Sequence, residues 1–174
     1  MTQADLPAPE FSRPFDIRQL DHRAVQLNAD EAERAALARR FGIVRIDRLE
    51  AEVLVERDGE ALSATGTLSA DIVQSCAVSA EDLPVAIREP LALRFIPASE
   101  THRPDEEVEL DADALDEIEF TGTSIDLGEA VAQSAALAID PFATGPDADA
   151  ARRLFDEGPA SPFAALAALK KNLE

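Results

Sequence analysis

The stretch Ile43-Val44-Arg45-Ile46-Asp47-Arg48-Leu49-Glu50-Ala51-Glu52-Val53-Leu54-Val55-Glu56-Arg57, then Asp58-Gly59, then Ala61-Leu62-Ser63-Ala64-Thr65-Gly66-Thr67-Leu68-Ser69-Ala70-Asp71-Ile72-Val73, decides the fold. Val44, Ile46, Leu49, Val53 and Val55 alternate with polar residues, as do Leu62, Ala64, Gly66, Leu68, Ala70 and Ile72. A period of two puts the apolar set on one face, the pattern of a half-buried strand. The phase slips near Arg48, which predicts a bulge. Asp58-Gly59 predicts a tight hairpin turn. After a turn at Glu81-Asp82, Leu83 to Ile96 continues the alternation with Val85, Ile87, Leu91, Leu93 and Phe95, while Pro84 and Pro90 mark edge or bulge positions. The three segments read as an antiparallel meander.

Helices are expected on either side. Phe11 to Gln19 reads as a short first strand, and Asn28-Ala29-Asp30-Glu31 has the spacing of a capping box. The helix that follows, about Ala29 to Phe41, is expected to bury Ala32, Ala35, Ala36 and Phe41 and to end at Gly42, with Arg39 and Arg40 favoured by the helix dipole. A second helix starts at Asp126 with Glu129 in capping-box register and stops at Asp140-Pro141. Its expected buried stripe is Leu127, Ala130, Val131, Ser134, Leu137 and Ala138. Ser161-Pro162-Phe163 opens a short terminal helix with Leu166, Ala167 and Leu169 on one edge, which could pack on the domain or serve as a docking peptide. The expected fold is therefore α+β, an antiparallel meander packed by two helices, with an acidic linker and a short C-terminal helix. The expected divisions are a flexible tail at 1–10, one domain at 11–141 containing an acidic linker or edge strands at 100–119, a disordered linker at 142–160 (with a possible helical turn at 150–155), and the terminal helix at 161–174.

Charge narrows the function classes. The chain of 174 residues carries a net charge of −19. Residues 11–57 balance nine basic against nine acidic groups, whereas residues 58–174 hold seven against twenty-four. Glu100 to Glu119 contains ten carboxylates and one arginine, Arg103. Such a surface repels a phosphate backbone and attracts a basic protein; it also serves solubility alone. Trp and Tyr are absent, which weakens a single-strand-binding reading based on stacking. One cysteine, Cys76, allows no internal disulfide, the N-terminus does not read as a signal peptide, and no apolar run approaches the roughly 20 residues of a membrane span. A soluble, cytoplasmic protein is expected.

Catalytic patterns are not found. His22 and His102 read as solvated surface residues, and Cys76 has no neighbouring histidine to activate it, so an inert thiol is expected. Zinc would need more Cys and His than exist. Asp111-x-Asp113 resembles the opening of a calcium loop, but Leu115, Asp116 and Gly122 fall where a ligand, the glycine and the bidentate glutamate belong. No phosphate-binding loop or nucleophile elbow occurs. No enzyme, metal, cofactor or small-molecule substrate is expected.

Four stretches together resemble the YceD family, known as large ribosomal RNA subunit accumulation proteins. They are Thr67 to Cys76 followed by Leu83-Pro84-Val85; Leu91-Ala92-Leu93-Arg94-Phe95 running into the acidic linker; Ile125-Asp126-Leu127-Gly128-Glu129-Ala130-Val131 through Ala136-Leu137-Ala138-Ile139-Asp140-Pro141; and Ser161-Pro162-Phe163 to Leu169-Lys170. Many members look to have a Cys-x-x-Cys where this chain has Cys76-Ala77-Val78-Ser79, so a metal or redox role for those cysteines does not carry over. The resemblance implies a role in 23S rRNA accumulation and large-subunit biogenesis. Two mechanisms are compatible with it. The acidic region, with Asp105, Glu106, Glu107, Glu109, Asp111, Asp113, Asp116 and Glu117, binds a basic large-subunit ribosomal protein; or an arginine face drawn from Arg34, Arg39, Arg40, Arg45 and Arg48 touches 23S pre-rRNA. The charge totals favour the first. The candidate partner-binding residues are those eight acids with Arg39 and Arg40. The alternative from another class is an acidic interaction module, or nucleic-acid mimic, unrelated to ribosomes.

Overall fold

A computed structural model of the chain describes residues 9–20, 22–98 and 116–156. In chain order the elements are β1 (Pro14–Asp16), β2 (Ala24–Asn28), α1 (Glu31–Phe41), β3 (Arg45–Asp58), β4 (Ala61–Ser75), β5 (Asp82–Pro97), β6 (Asp116–Phe120), β7 (Ser124–Asp126), α2 (Leu127–Leu137) and α3 (Ala148–Asp156). They fall into two compact units, Met1–Gln74 with Pro84–Asp140, and Ser75–Leu83 with Pro141–Glu174.

The first unit holds a five-stranded sheet in the order β2-β3-β4-β5-β6 and a two-stranded ribbon of β1 and β7. β3 and β4 pair antiparallel from Arg45 opposite Val73 to Asp58 opposite Ala61, and the register shifts between Ile46 and Arg48, where the phase slip predicts it. Gly59 turns the hairpin with φ +65°, a conformation glycine adopts without a Cβ clash. Gly66 sits opposite Val53, and a Cβ there would run into the Glu52 carbonyl, so the two strands approach as closely as glycine allows. Pro84 and Pro90 lie on β5 before Leu93, where β6 begins to pair with it.

Three features depart from the sequence expectation. Val25 and Leu27 belong to a strand, β2, paired with β3 at the edge of the sheet. The expected first strand shortens to β1, which pairs with β7 outside the main sheet. β6 runs parallel to β5, so the sheet is mixed and not a pure meander; a parallel return needs a long connection, here residues 98–115.

Helix α1 is capped by Asp30, not Asn28: the Asp30 side chain accepts from Glu33 N–H at 2.8 Å, and the Glu33 carboxylate accepts from Asp30 N–H at 2.8 Å. The shift has a physical cause, because Asn28 is still paired with Glu50 and Ala29 N–H still donates to Leu49 O. The buried residues of α1 are Leu37 and Ala38, while Ala32 and Ala35 are exposed. An alanine-rich helix has only a weak apolar stripe, and its one leucine decides which side faces inward. Gly42 closes it at φ +68°, as expected.

Asp126 caps α2, accepting from Glu129 N–H at 3.1 Å. The Glu129 carboxylate does not return to close a box; it binds Arg40 of α1 at 2.7 and 2.9 Å. The same Asp126 carboxylate accepts from Ser12 Oγ at 2.6 Å and from Arg13 N–H at 2.8 Å, and Leu127 N–H donates to Arg13 O at 3.1 Å. The segment Phe11–Arg13 therefore lies on the first turn of α2. A Cβ on Gly128 would meet Phe11 O and lie 2.8 Å from Arg13 N, so only glycine fits beneath the crossing. Phe11 is fully buried, and Arg13 reaches on to Glu33 with two hydrogen bonds of 2.7 and 2.8 Å.

One core results, built from the inward residues of the sheet, Phe11, Leu37 and Ala38, and Leu127, Ala130, Val131, Ala132 and Ala135 of α2. The stripe of α2 is shifted from expectation: the small residues Gly128, Ala132 and Ala135 are buried, Ser134 is half-buried, and Leu137 is 80% exposed. Small side chains let the helix backbone approach the sheet in its first two turns, which leaves the last turn at the margin of the core.

In the second unit Ala148 is buried and its N–H donates to Gly145 O at 3.1 Å. α3 occupies Ala148–Asp156 and contains the helical turn expected at 150–155, within the span 142–160 otherwise expected to be a disordered linker.

Gly128→Ala should destabilise the protein by about 1–3 kcal/mol, because overpacking against backbone cannot be relieved by a rotamer change. Denaturant unfolding measures this. Acid should also loosen the first unit. Hydrogen bonds from Arg13 hold Glu33, and those from Arg40 hold Glu129, below the ordinary carboxylate value of 4.5. Ionisation is favoured in the folded state, so this stabilisation is complete above that value and is lost as pH falls through the lowered ones. Unfolding midpoints should drop as pH is lowered below about 4.5, and Glu129→Gln should reduce the drop.

Candidate functional site

Six of the expected partner-binding residues, Asp105, Glu106, Glu107, Glu109, Asp111 and Asp113, lie outside the described residues. Asp116 opens β6. Glu117 is exposed on β6 opposite Arg94, with 4.0 Å between Arg94 Nε and Glu117 Oε1. Glu119 pairs with Ile96 two residues on, so both glutamates stand on the sheet face away from the buried Leu93 and Phe95. That outer face also presents Glu50, Glu52 and Glu56 of β3, all exposed, beside Thr65 and Thr67 of β4. It is a wet, carboxylate-rich face.

The arginines are arranged differently. Arg39 is exposed in the last turn of α1. Its neighbour Arg40 is held by Glu10 at 2.9 Å and by Glu129, which raises its pKa further above the ordinary arginine range. Arg48 pairs with Asp71 at 2.7 Å and Glu50 at 3.0 Å, Arg45 pairs with Asp47 at 2.9 Å, and Arg34 donates to the Ala29 carbonyl at 2.7 Å. Four of the five arginines that could form an RNA-contacting face thus have their guanidinium groups engaged within the molecule. Sequence reasoning counts these charges but does not reveal the pairings of Arg40 with Glu129 or of Arg48 with Asp71, whose partners are distant in the chain.

Cys76 lies in the second unit, just after β4, and is buried. Its sulfur accepts from Gly145 N–H at 3.3 Å and Ser79 N–H at 3.4 Å. Ala77 N–H donates to Ala143 O at 3.0 Å, so the Cys76 loop and the residues after Pro141 are bonded twice. The Gly145 N–H, followed by the Ser79 side chain and the N–H groups of Ser79 and Val78, lowers the thiol pKa from the ordinary 9.0 to about 6. Donors converging on sulfur favour the thiolate. Its burial explains a structural role better than a nucleophilic one. The sequence does not reveal this cradle, since the Gly145 donor comes from far along the chain.

Among the described residues no cluster of three or more His, Cys, Asp or Glu could hold a metal ion, and no helix is long and apolar enough to cross a membrane. His22 is exposed, with Nδ1 4.0 Å from a Glu56 carboxylate oxygen.

The Cys76 cradle makes a direct prediction. Thiolate absorbance in the folded protein should titrate with a midpoint of about 6, and Cys76→Ser should abolish that transition. Because the folded value is depressed, the linked stabilisation is complete above pH 9 and is lost as pH falls to about 6.

No curated protein and no solved structure matches the chain. A family model described as "Large ribosomal RNA subunit accumulation protein YceD" matches residues 64–170. The matched span runs from β4 to beyond α3 and contains the Asp126 cap, Gly128, Glu129 and Cys76, whereas β1, β2, β3 and α1 precede it. Since the match covers more than half of the chain and agrees with the four motifs read from the sequence, the chain belongs to the YceD family.

Proposed function

We propose that this chain supports 23S rRNA accumulation and large ribosomal subunit biogenesis in the cytoplasm, without catalysing a reaction, by binding a basic large-subunit ribosomal protein. The family description supplies the coarse role, large ribosomal RNA subunit accumulation. The partner is inferred from one observation: four of the five candidate arginines are engaged internally while the carboxylates are in excess. Arg34, Arg40, Arg45 and Arg48 are engaged, and the net charge is −19. Phosphate contact requires available cations, and the engagement of four of the five candidate arginines weighs against an RNA-first mechanism. Basic ribosomal proteins offer the complementary charge, and encounter with them is accelerated by long-range attraction. The acids at 105–117 are proposed to bind the same partner.

Depletion of the protein should lower 23S rRNA and mature large subunits in gradient profiles. Crosslinking in cells should recover basic large-subunit proteins whose association weakens as salt is raised. Unchanged subunit profiles, including under cold stress, would overturn the assembly role; recovery of rRNA with no ribosomal protein would overturn the proposed partner.

A further inference from the structure

We infer that the cleft between β5 and the last turn of α2 is the docking site for an apolar side chain of a basic protein segment, one flanked by Lys or Arg. This rests on the partner class proposed above and assigns it a place. The cleft, about 390 Å³, is lined by Glu89, Pro90, Leu91, Leu93, Leu137 and Ala138, among others. Its floor is buried Leu91 and Leu93, and its wall is Leu137, 80% exposed.

Leu137 carries the inference. Helical periodicity places it on the same stripe as Leu127, Ala130 and Val131, which are in the core, yet the described fold leaves it in water. A single exposed leucine is unremarkable; one that walls an apolar cleft is a place for a partner to bury area. Strand addition does not suit the flank beside it. β6 pairs with β5 only from Leu93 to Pro97, and Pro90 has no N–H to offer an added strand. Recognition there is by side chains.

Charge commits the occupant. α2 has an acid in its first turn and no basic residue in its last, so the negative end of the helix at Leu137 and Ala138 is not offset by a cation of its own. Glu89 is exposed at the rim. An apolar anchor with a neighbouring Lys or Arg places its hydrocarbon on Leu91, Leu93 and Leu137 and its cation near Glu89 and the helix end. An acidic or phosphate-bearing ligand would meet the same groups unfavourably.

The test uses the tagged full chain and large-subunit ribosomal proteins extracted free of RNA, with retained proteins identified by mass spectrometry. Leu137→Ser, Glu89→Arg and their combination change exposed side chains, so their unfolding midpoints should match the parent. The parent should retain basic ribosomal proteins, and the double variant should retain about tenfold less, the loss expected for one anchor and one charge. Arg153→Ser, at an exposed position of α3, should retain as much as the parent. If the parent retains none, the proposed partner class itself is wrong. If parent and double variant retain the same amount, that class stands and the cleft assignment is overturned. A parallel arm uses a 23S rRNA transcript; loss of transcript binding in the variants, with protein retention intact, would make the cleft an RNA site and overturn the inference.

Discussion

Asp126 is the constraint on which the rest of the first unit depends. Its carboxylate ends β7, caps α2, and holds Ser12 and the Arg13 amide on the first turn of that helix. Arg13 in turn binds Glu33, which closes the capping box of α1 with Asp30. Two helix starts and the N-terminal segment are therefore one hydrogen-bonded system. Unsatisfied N–H groups at a helix start are costly when partly buried, so each member of the system is held by the others. Phe11 can be fully buried only because the chain crosses α2 at Gly128, and Gly128 is tolerated in a helix because that crossing needs it.

The motif Ile125-Asp126-Leu127-Gly128-Glu129, which carries the family resemblance, is fully occupied with holding the fold. Ile125 and Leu127 fill the core, Asp126 caps and grips, Gly128 makes room, and Glu129 ties α2 to Arg40. The motif identifies the architecture and contains no residue left over for chemistry. Function then has to be sought among groups the architecture does not consume. In the described residues these include the exposed outer sheet face, where carboxylates outnumber their partners, and the cleft at Leu137.

What the sequence makes legible is what is local. The hairpin at Asp58-Gly59, the bulge near Arg48 and the cap at Asp126 all depend on spacings of a few residues, and all are found where periodicity places them. The displaced cap of α1, the strand β2 and the parallel pairing of β6 depend on partners across the sheet, which no local pattern encodes. Helix α2 shows both sides. Its start is fixed by an i to i+3 contact, but which flank it buries is decided by the sheet, so Leu137 is exposed where periodicity expects it inside. The candidate site divides in the same way: the surplus of acid is visible by counting, whereas the pairing of the arginines and the Gly145 donor to Cys76 are not.

The charge distribution has an energetic logic beyond its sign. Exposed ion pairs such as Arg48 with Asp71, or Arg45 with Asp47, contribute little to stability because solvent screens them. Their larger effect is to remove arginines from the set available to a partner. What remains is predominantly carboxylate, whose attraction for a basic chain acts over a Debye length of about 8 Å at physiological salt and is lost as that length shrinks. Electrostatics of this kind sets the encounter rate and orientation, whereas residence comes from buried apolar contact. If the proposed partner is right and is passed on to rRNA, the first would need to be strong and the second small. Phosphates at high local density can then displace the carboxylates, and a single apolar anchor such as a cleft at Leu137 could hold is too weak to prevent release.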